Sequence, residues 1–147
     1  MKETVKISTR LRYGLRLLVD LAIYSQGYPL KLKDVSRRQH ISLPYLRQLA
    51  LLLEASGMIR SLRGNKGGYL LGRPPEKISL LEVATILEGP LHLVECADNP
   101  NHCQRSSQCM TRELWYELTS QIRQVLAGKT LSDFIPKEGE RNDLPRL

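Results

Sequence analysis

Along the first half of the chain, apolar positions recur at helical spacing in short blocks that glycine and proline interrupt. From Ser8 or Thr9, either of which can cap a helix, Leu11, Leu15, Leu18, Ala22 and Tyr24 keep that spacing to about Ser25, and Gln26-Gly27-Tyr28-Pro29 ends the run. A shorter segment over 30–39 carries Leu32 and Val35 three apart and leads through His40-Ile41 into Ser42-Leu43-Pro44. Ser42 reads as an N-cap, with Pro44 in the first turn of a helix over 43–56. In that helix Leu46, Leu49, Ala50 and Leu53 point to a core, while Tyr45, Arg47, Gln48 and Glu54 fall largely on other faces. Gly57 supplies the stop. Two helices joined by a short turn, the second opening with polar and basic residues, form a helix-turn-helix pattern, which many helical pairs in enzymes share.

The next segment narrows the choice. Met58–Leu62 and Gly68–Leu71 are predicted as two short strands around Arg63-Gly64-Asn65-Lys66-Gly67, whose glycines permit a tight hairpin with cations at its tip. A hairpin immediately after a candidate recognition helix is a wing, and Arg63 and Lys66 there can reach a groove or phosphates beside those the helix enters. After Pro74-Pro75, Ser79-Leu80-Leu81-Glu82 matches a capping box and starts a helix to about Glu88. Residues 90–110 are expected to be irregular. A last long helix over 111–127 sets Leu114, Leu118, Ile122, Val125 and Leu126 on one stripe with Trp115 beside it. That stripe can pack on its own domain or against a second copy.

The expected fold is therefore mostly α with a small β-hairpin wing, a winged helix-turn-helix followed by a long C-terminal dimerisation helix. Residues 1–73 form the DNA-binding region, 74–133 the linker helix, cysteine loop and dimerisation helix of the same compact domain, and 134–147 a disordered tail.

Composition agrees with packed helices: a single Trp, a single Phe and 41% hydrophobic residues favour an aliphatic core. The chain lacks a run of eighteen apolar residues and opens Met-Lys-Glu-Thr-Val-Lys, so a cytoplasmic protein without a membrane partner is expected. The net charge of +7 is unevenly spread. Residues 1–73 hold 14 Lys+Arg against 4 Asp+Glu, a balance of +10, whereas residues 74–147 hold 8 against 11, a balance of −3. A positive field confined to the helix-turn-helix half suits a phosphate backbone, since each cation that meets a phosphate releases condensed counterions. A solvated basic face is the plainer alternative.

Cys96, Cys103 and Cys109 are all the cysteines of the chain, and they form a C-x6-C-x5-C array in the irregular segment. An odd number cannot pair fully as disulfides, and three thiolates on a flexible loop can wrap a soft metal centre such as an iron-sulfur cluster or zinc. Local candidates for a fourth ligand are His102, inside the loop, then His92, Glu95, Asp98 and Glu113. A Cys3His zinc site on Cys96, His102, Cys103 and Cys109 has suitable chemistry without the usual paired spacing. Catalysis finds little support: no HExxH, GxSxG or phosphate-binding glycine loop is present, and the histidines are His40 in the helix turn and His92 and His102 by the cysteines.

Taken together, Ile41-Ser42-Leu43-Pro44-Tyr45-Leu46-Arg47-Gln48-Leu49, the run Arg63-Gly64-Asn65-Lys66-Gly67-Gly68-Tyr69-Leu70-Leu71 and Glu82-Val83 resemble the bacterial winged-helix transcription regulators typified by IscR, NsrR and CymR. The resemblance covers most of residues 6–133. It implies a homodimer on a partly palindromic double-stranded DNA operator, with Ser42, Pro44, Tyr45, Arg47 and Gln48 meeting DNA from the helix and Arg63 from the wing. Where some members carry glutamate this chain has Arg47, which favours guanine O6 and N7 over cytosine N4. The resemblance further implies that Cys96, Cys103 and Cys109 ligate an iron-sulfur cluster, 2Fe–2S or 4Fe–4S, that senses redox state, nitric oxide or iron supply. Members complete the cluster with a histidine three residues after the last cysteine, here Arg112, or with an aspartate near the start of the first helix, here Arg12. Other members hold no cluster and are controlled by thiol oxidation or by a partner protein.

Overall fold

The computed structural model describes residues 6–137 and Glu140. Helix α1, Thr9–Tyr24, starts at Ser8, whose Oγ accepts from the Leu11 N–H at 3.1 Å. Its buried face is Leu11, Leu17, Leu18, Leu21 and Ile23, while the expected Leu15, Ala22 and Tyr24 sit half-buried at the rim. Gly14 also lies on the buried side. A Cβ there would fall 2.3 Å from Leu87 Cδ1, so the missing side chain lets a later helix lie against α1.

Helix α2, Leu32–Gln39, ends at His40 in the left-handed conformation, φ 52°, and α3 occupies Leu43–Ala55. Between them the Ser36 hydroxyl donates to the Ile41 carbonyl at 2.6 Å, and Ile41 N–H returns to the Ser36 carbonyl at 3.3 Å. Leu46, Leu49, Ala50 and Leu53 are buried, as their spacing requires. Ser42 stands at the N-cap position but its side chain makes no capping bond, and Pro44 in the first turn has no N–H to offer it.

Strands β1, Ile59–Leu62, and β2, Gly68–Leu71, pair antiparallel in the register Ile59 to Leu71 and Leu62 to Gly68. The hairpin is anchored on a third segment: Leu30 and Tyr69 exchange both backbone hydrogen bonds, at 2.9 and 2.8 Å. Gly68 makes this possible. A Cβ there would lie 2.4 Å from the Leu30 carbonyl oxygen, and its φ of +155° is one that L side chains rarely adopt.

Helix α4, Leu80–Glu88, is capped by the Ser79 hydroxyl, which accepts from Glu82 N–H at 3.1 Å. The expected reciprocal half of the capping box is not made, because the Glu82 carboxylate accepts from Arg73 Nη2 at 2.6 Å instead. Residues 90–110, expected to be irregular, contain the single-turn helix α5, Glu95–Asp98, and a 3-10 turn at Pro100–His102. Helix α6 runs Arg112–Ala127. The chain then returns to the core: Leu80 N–H donates to the Lys129 carbonyl, Leu131 N–H to the Ile78 carbonyl, and Leu131 is fully buried.

Leu126 packs on the core, but Leu114, Leu118, Ile122 and Val125 remain 36–63% exposed, and Trp115 36%. Of the predicted tail, Phe134 closes the 3-10 turn Leu131–Phe134, and 138, 139 and 141–147 lie outside the described residues.

Candidate nucleic-acid interface and cysteine loop

On α3, Ser42, Pro44, Arg47 and Gln48 are exposed on one side, opposite the buried leucines. Tyr45 is half-buried, its ring edge-on to Tyr13 of α1 at 6.0 Å between centroids, and Tyr13 is flanked by the guanidinium groups of Arg12 and Arg16. At the wing tip Arg63 and Lys66 are exposed, and Gly67 N–H donates to the Gly64 carbonyl at 3.0 Å to close the turn. Glu54 ties α3 to the hairpin by accepting from the N–H and hydroxyl of Ser61. Between the start of α2, the flank of α3 and the wing lies a groove of about 670 Å³ that takes in Arg47, Lys31 and Lys33.

The orientation of α2 depends on a buried polar cluster that the sequence pattern did not disclose. Asp20 has no solvent exposure; Arg38 Nε and Nη2 donate to its two oxygens at 3.0 and 2.6 Å, and Gln39 Nε2 donates at 2.9 Å. Arg38 also lies 4.5 Å over the Tyr24 ring. The hydrogen bond to Asp20 raises the Arg38 guanidinium above its already high value. Lys31 and Lys33, which the sequence pattern did not single out, are exposed on either side of the core residue Leu32.

In the cysteine loop, Cys96 on α5 and Cys103 after the 3-10 turn are half-buried, and Cys109 before α6 is exposed. The Thr111 hydroxyl, 3.5 Å from Cys109 Sγ, lowers that thiol from its ordinary value, helped by the Thr111 N–H. Arg112 Nε donates to the Cys96 carbonyl at 2.9 Å, and Nη2 to the Ala97 carbonyl at 3.5 Å. A second arginine, Arg123, holds the Asp98 carboxylate and keeps it below the usual range. His102, the first-choice fourth ligand, directs its Nε2 to the Glu95 carboxylate.

Three thiols are the right donors for an iron-sulfur cluster, but the arrangement does not fit one held by four ligands of this chain. Among the described residues, no group of three His, Cys, Asp or Glu side chains is close enough to hold a metal ion. A guanidinium offers donors and no acceptor, so Arg112 cannot ligate.

These features have counterparts in known proteins. The family profile described as an iron-dependent transcriptional regulator, Rrf2, matches residues 7–137. The chain belongs to the Rrf2 family. It is 34% identical over 134 residues to the HTH-type transcriptional regulator IscR of Xenorhabdus nematophila, covering 91% of this chain and 81% of that protein. It is similar in structure to CymR, the global cysteine regulator of B. subtilis, with TM-score 0.74, 34% identity and coverage of 89% and 96% of the two chains. To T. potens IscR the TM-score is 0.75, with 32% identity and coverage of 97% and 93%.

As an Rrf2 family member the protein is a DNA-binding transcription regulator with a winged-helix fold, and its relatives are named as regulators, a role without catalysis. No described helix is long and apolar enough to cross a membrane.

Proposed function

We propose that this regulator works as a homodimer on a partly palindromic operator, with its cysteine loop as the signal input. The observation that carries the reading is the pairing of two exposed surfaces in one chain: the cationic α3 and wing face, and the α6 stripe of Leu114, Leu118, Ile122 and Val125. An aliphatic stripe left open on a long helix is buried favourably by a second copy, and two copies read two half-sites. Ser42, Pro44, Tyr45, Arg47 and Gln48 then serve the major groove and Arg63 and Lys66 the wing contact. Arg47 selects guanine, and Tyr45 acts at the edge of that set because its ring is shared with Tyr13.

Two readings of the input each have an observation behind them. Cys109 is exposed with a lowered thiol, and no three potential ligands among the described residues are close enough to hold a metal, which favours control by thiol oxidation. Three soft donors within one loop of the sequence leading into α6 favour an iron-sulfur cluster on Cys96, Cys103 and Cys109, with a fourth ligand from outside the loop and the three sulfurs drawn together on binding.

Protein purified without oxygen, assayed for iron, sulfide and visible absorption beside Cys103→Ala, separates them. Bound iron and sulfide that the variant loses assign the input to a cluster. Colourless, iron-free protein that binds DNA, and binds it differently after mild oxidation, assigns it to the thiols. Iron-free protein whose DNA binding ignores oxidation would contradict the loop's role as input.

A further inference from the structure

We propose that the cavity between α1, the end of α2, the start of α4 and the Leu131–Phe134 turn is a binding site for a small aliphatic carboxylate, and that filling it weakens DNA binding. The ligand's charge sits on Arg16 and its chain against Leu15, Val19, Leu80 and Phe134. The effect on DNA rests on the DNA-binding reading above; the site itself stands without it.

The cavity holds about 310 Å³, at the small end of the range for ligand pockets, about 300–1,000 Å³. Its apolar walls are Leu15 and Val19, one turn apart on α1, Leu80 at the start of α4, and Phe134, the only phenylalanine of the chain. Phe134 is 50% exposed, yet the turn that carries it is braced on the core. Leu131 is fully buried and its N–H donates to the Ile78 carbonyl, while Thr130 N–H donates to the Asp133 carboxylate at 2.8 Å. An aromatic ring held half out of the core on a braced turn gives an apolar ligand a wall that is already in place.

The polar side of the cavity is Arg16 and Gln39, bonded to each other. Arg16 Nε donates to Gln39 Oε1 at 3.1 Å, and Arg16 Nη2 donates to the Gln39 carbonyl, the last of α2. Arg16 is exposed and has no carboxylate partner among the described residues, unlike Arg38, Arg73 and Arg123. It is also the one cation among the lining residues. A single guanidinium beside apolar walls complements one carboxylate on an aliphatic chain, whereas a doubly charged phosphate calls for more than one cation. A ligand carboxylate makes charge-assisted bonds to Arg16 that the neutral amide and carbonyl of Gln39 do not match. Gln39 is tied by its Nε2 to the buried Asp20 at 2.9 Å and stands two residues before Ile41, in the turn that leads into α3. Drawing Arg16 away from Gln39 therefore loosens the end of α2 and, through it, the placement of α3.

Isothermal calorimetry with octanoate, and with octanol as its uncharged counterpart, tests the site. Octanoate is expected to bind the unaltered protein about tenfold tighter than octanol does, the worth of one charge-assisted pair. Arg16→Gln loses that preference. Val19→Trp, which fills the cavity and leaves Arg16 in place, binds neither, and a melting transition like that of the unaltered protein shows that each variant is folded. On a duplex that the unaltered protein selects from a random-sequence pool, saturating octanoate lowers affinity at least about fivefold, and it does not change the affinity of Val19→Trp. No heat from octanoate, whether the cavity is taken by a second copy or by residues after 137, overturns the site. Equal octanoate affinity in the unaltered protein and Arg16→Gln overturns the role of Arg16. Octanoate that binds without moving DNA affinity overturns the coupling while the regulator reading stands. Failure of the unaltered protein to bind any duplex overturns that reading and the coupling with it, and the calorimetry alone then decides the site.

Discussion

Asp20 has a fully buried carboxyl group, and its oxygens are taken by the forked guanidinium of Arg38 and the amide of Gln39. A pair of this kind adds little net stability when complete, because desolvation offsets most of the attraction, but losing one partner leaves an uncompensated buried charge. Arg38→Ala is therefore expected to cost about 3 kcal/mol in urea unfolding at fixed protein concentration. A loss below about 1 kcal/mol would mean that Gln39 satisfies Asp20 alone. The sequence hid this pair for a physical reason: a carboxylate on the core face breaks the amphipathic pattern that identifies a helix, and its partner lies 18 residues away on the next helix. The exposure of Arg47 and Gln48 was easier to read, since they are polar positions beside the buried leucines of the same helix.

At the scale of elements, the parts with strong local chemistry were legible. Ser8 and Ser79 cap α1 and α4, Gly57 follows α3, and the glycines of the wing tip turn the hairpin. Helix α5 and the 3-10 turns were not, because four residues hold too little of a helical period to be seen. Glu82 shows how a tertiary contact overrides a local motif, its carboxylate drawn away by Arg73, while the Ser42 cap is left unmade beside Pro44. The α6 stripe was found, but its spacing alone left open whether it faces its own domain or another chain. The core takes Leu126 and leaves Leu118 and Ile122 36% and 40% exposed. Charging that face, as L118E/I122E, is expected to convert a dimer into a folded monomer in sedimentation, with affinity for a two-half-site duplex falling at least tenfold as the linked second contact is lost. An unchanged sedimenting mass would place the dimer contact elsewhere.

Across the whole molecule the charge follows the fold. The +10 balance of residues 1–73 lies with the helix-turn-helix and wing, and the −3 balance of the remainder with α4 to α6 and the cysteine loop. The loop sits between the linker helix and α6, clamped to α6 by Arg112 on the carbonyls of Cys96 and Ala97 and by Arg123 on Asp98. A chemical change at the cysteines would therefore be felt first at the base of α6 and, in the proposed dimer, through it in the spacing of two DNA-binding faces. A tenfold change in operator occupancy needs only about 1.4 kcal/mol of such coupling.

The most direct test of a homodimer reading two half-sites is to sequence the duplexes that the purified protein enriches from a random pool. Two inverted copies of a half-site, their centres about one helical turn of DNA or a multiple of it apart, are the predicted result. Enrichment of a single, unpaired half-site bound by one protomer, or of no sequence at all, would contradict it.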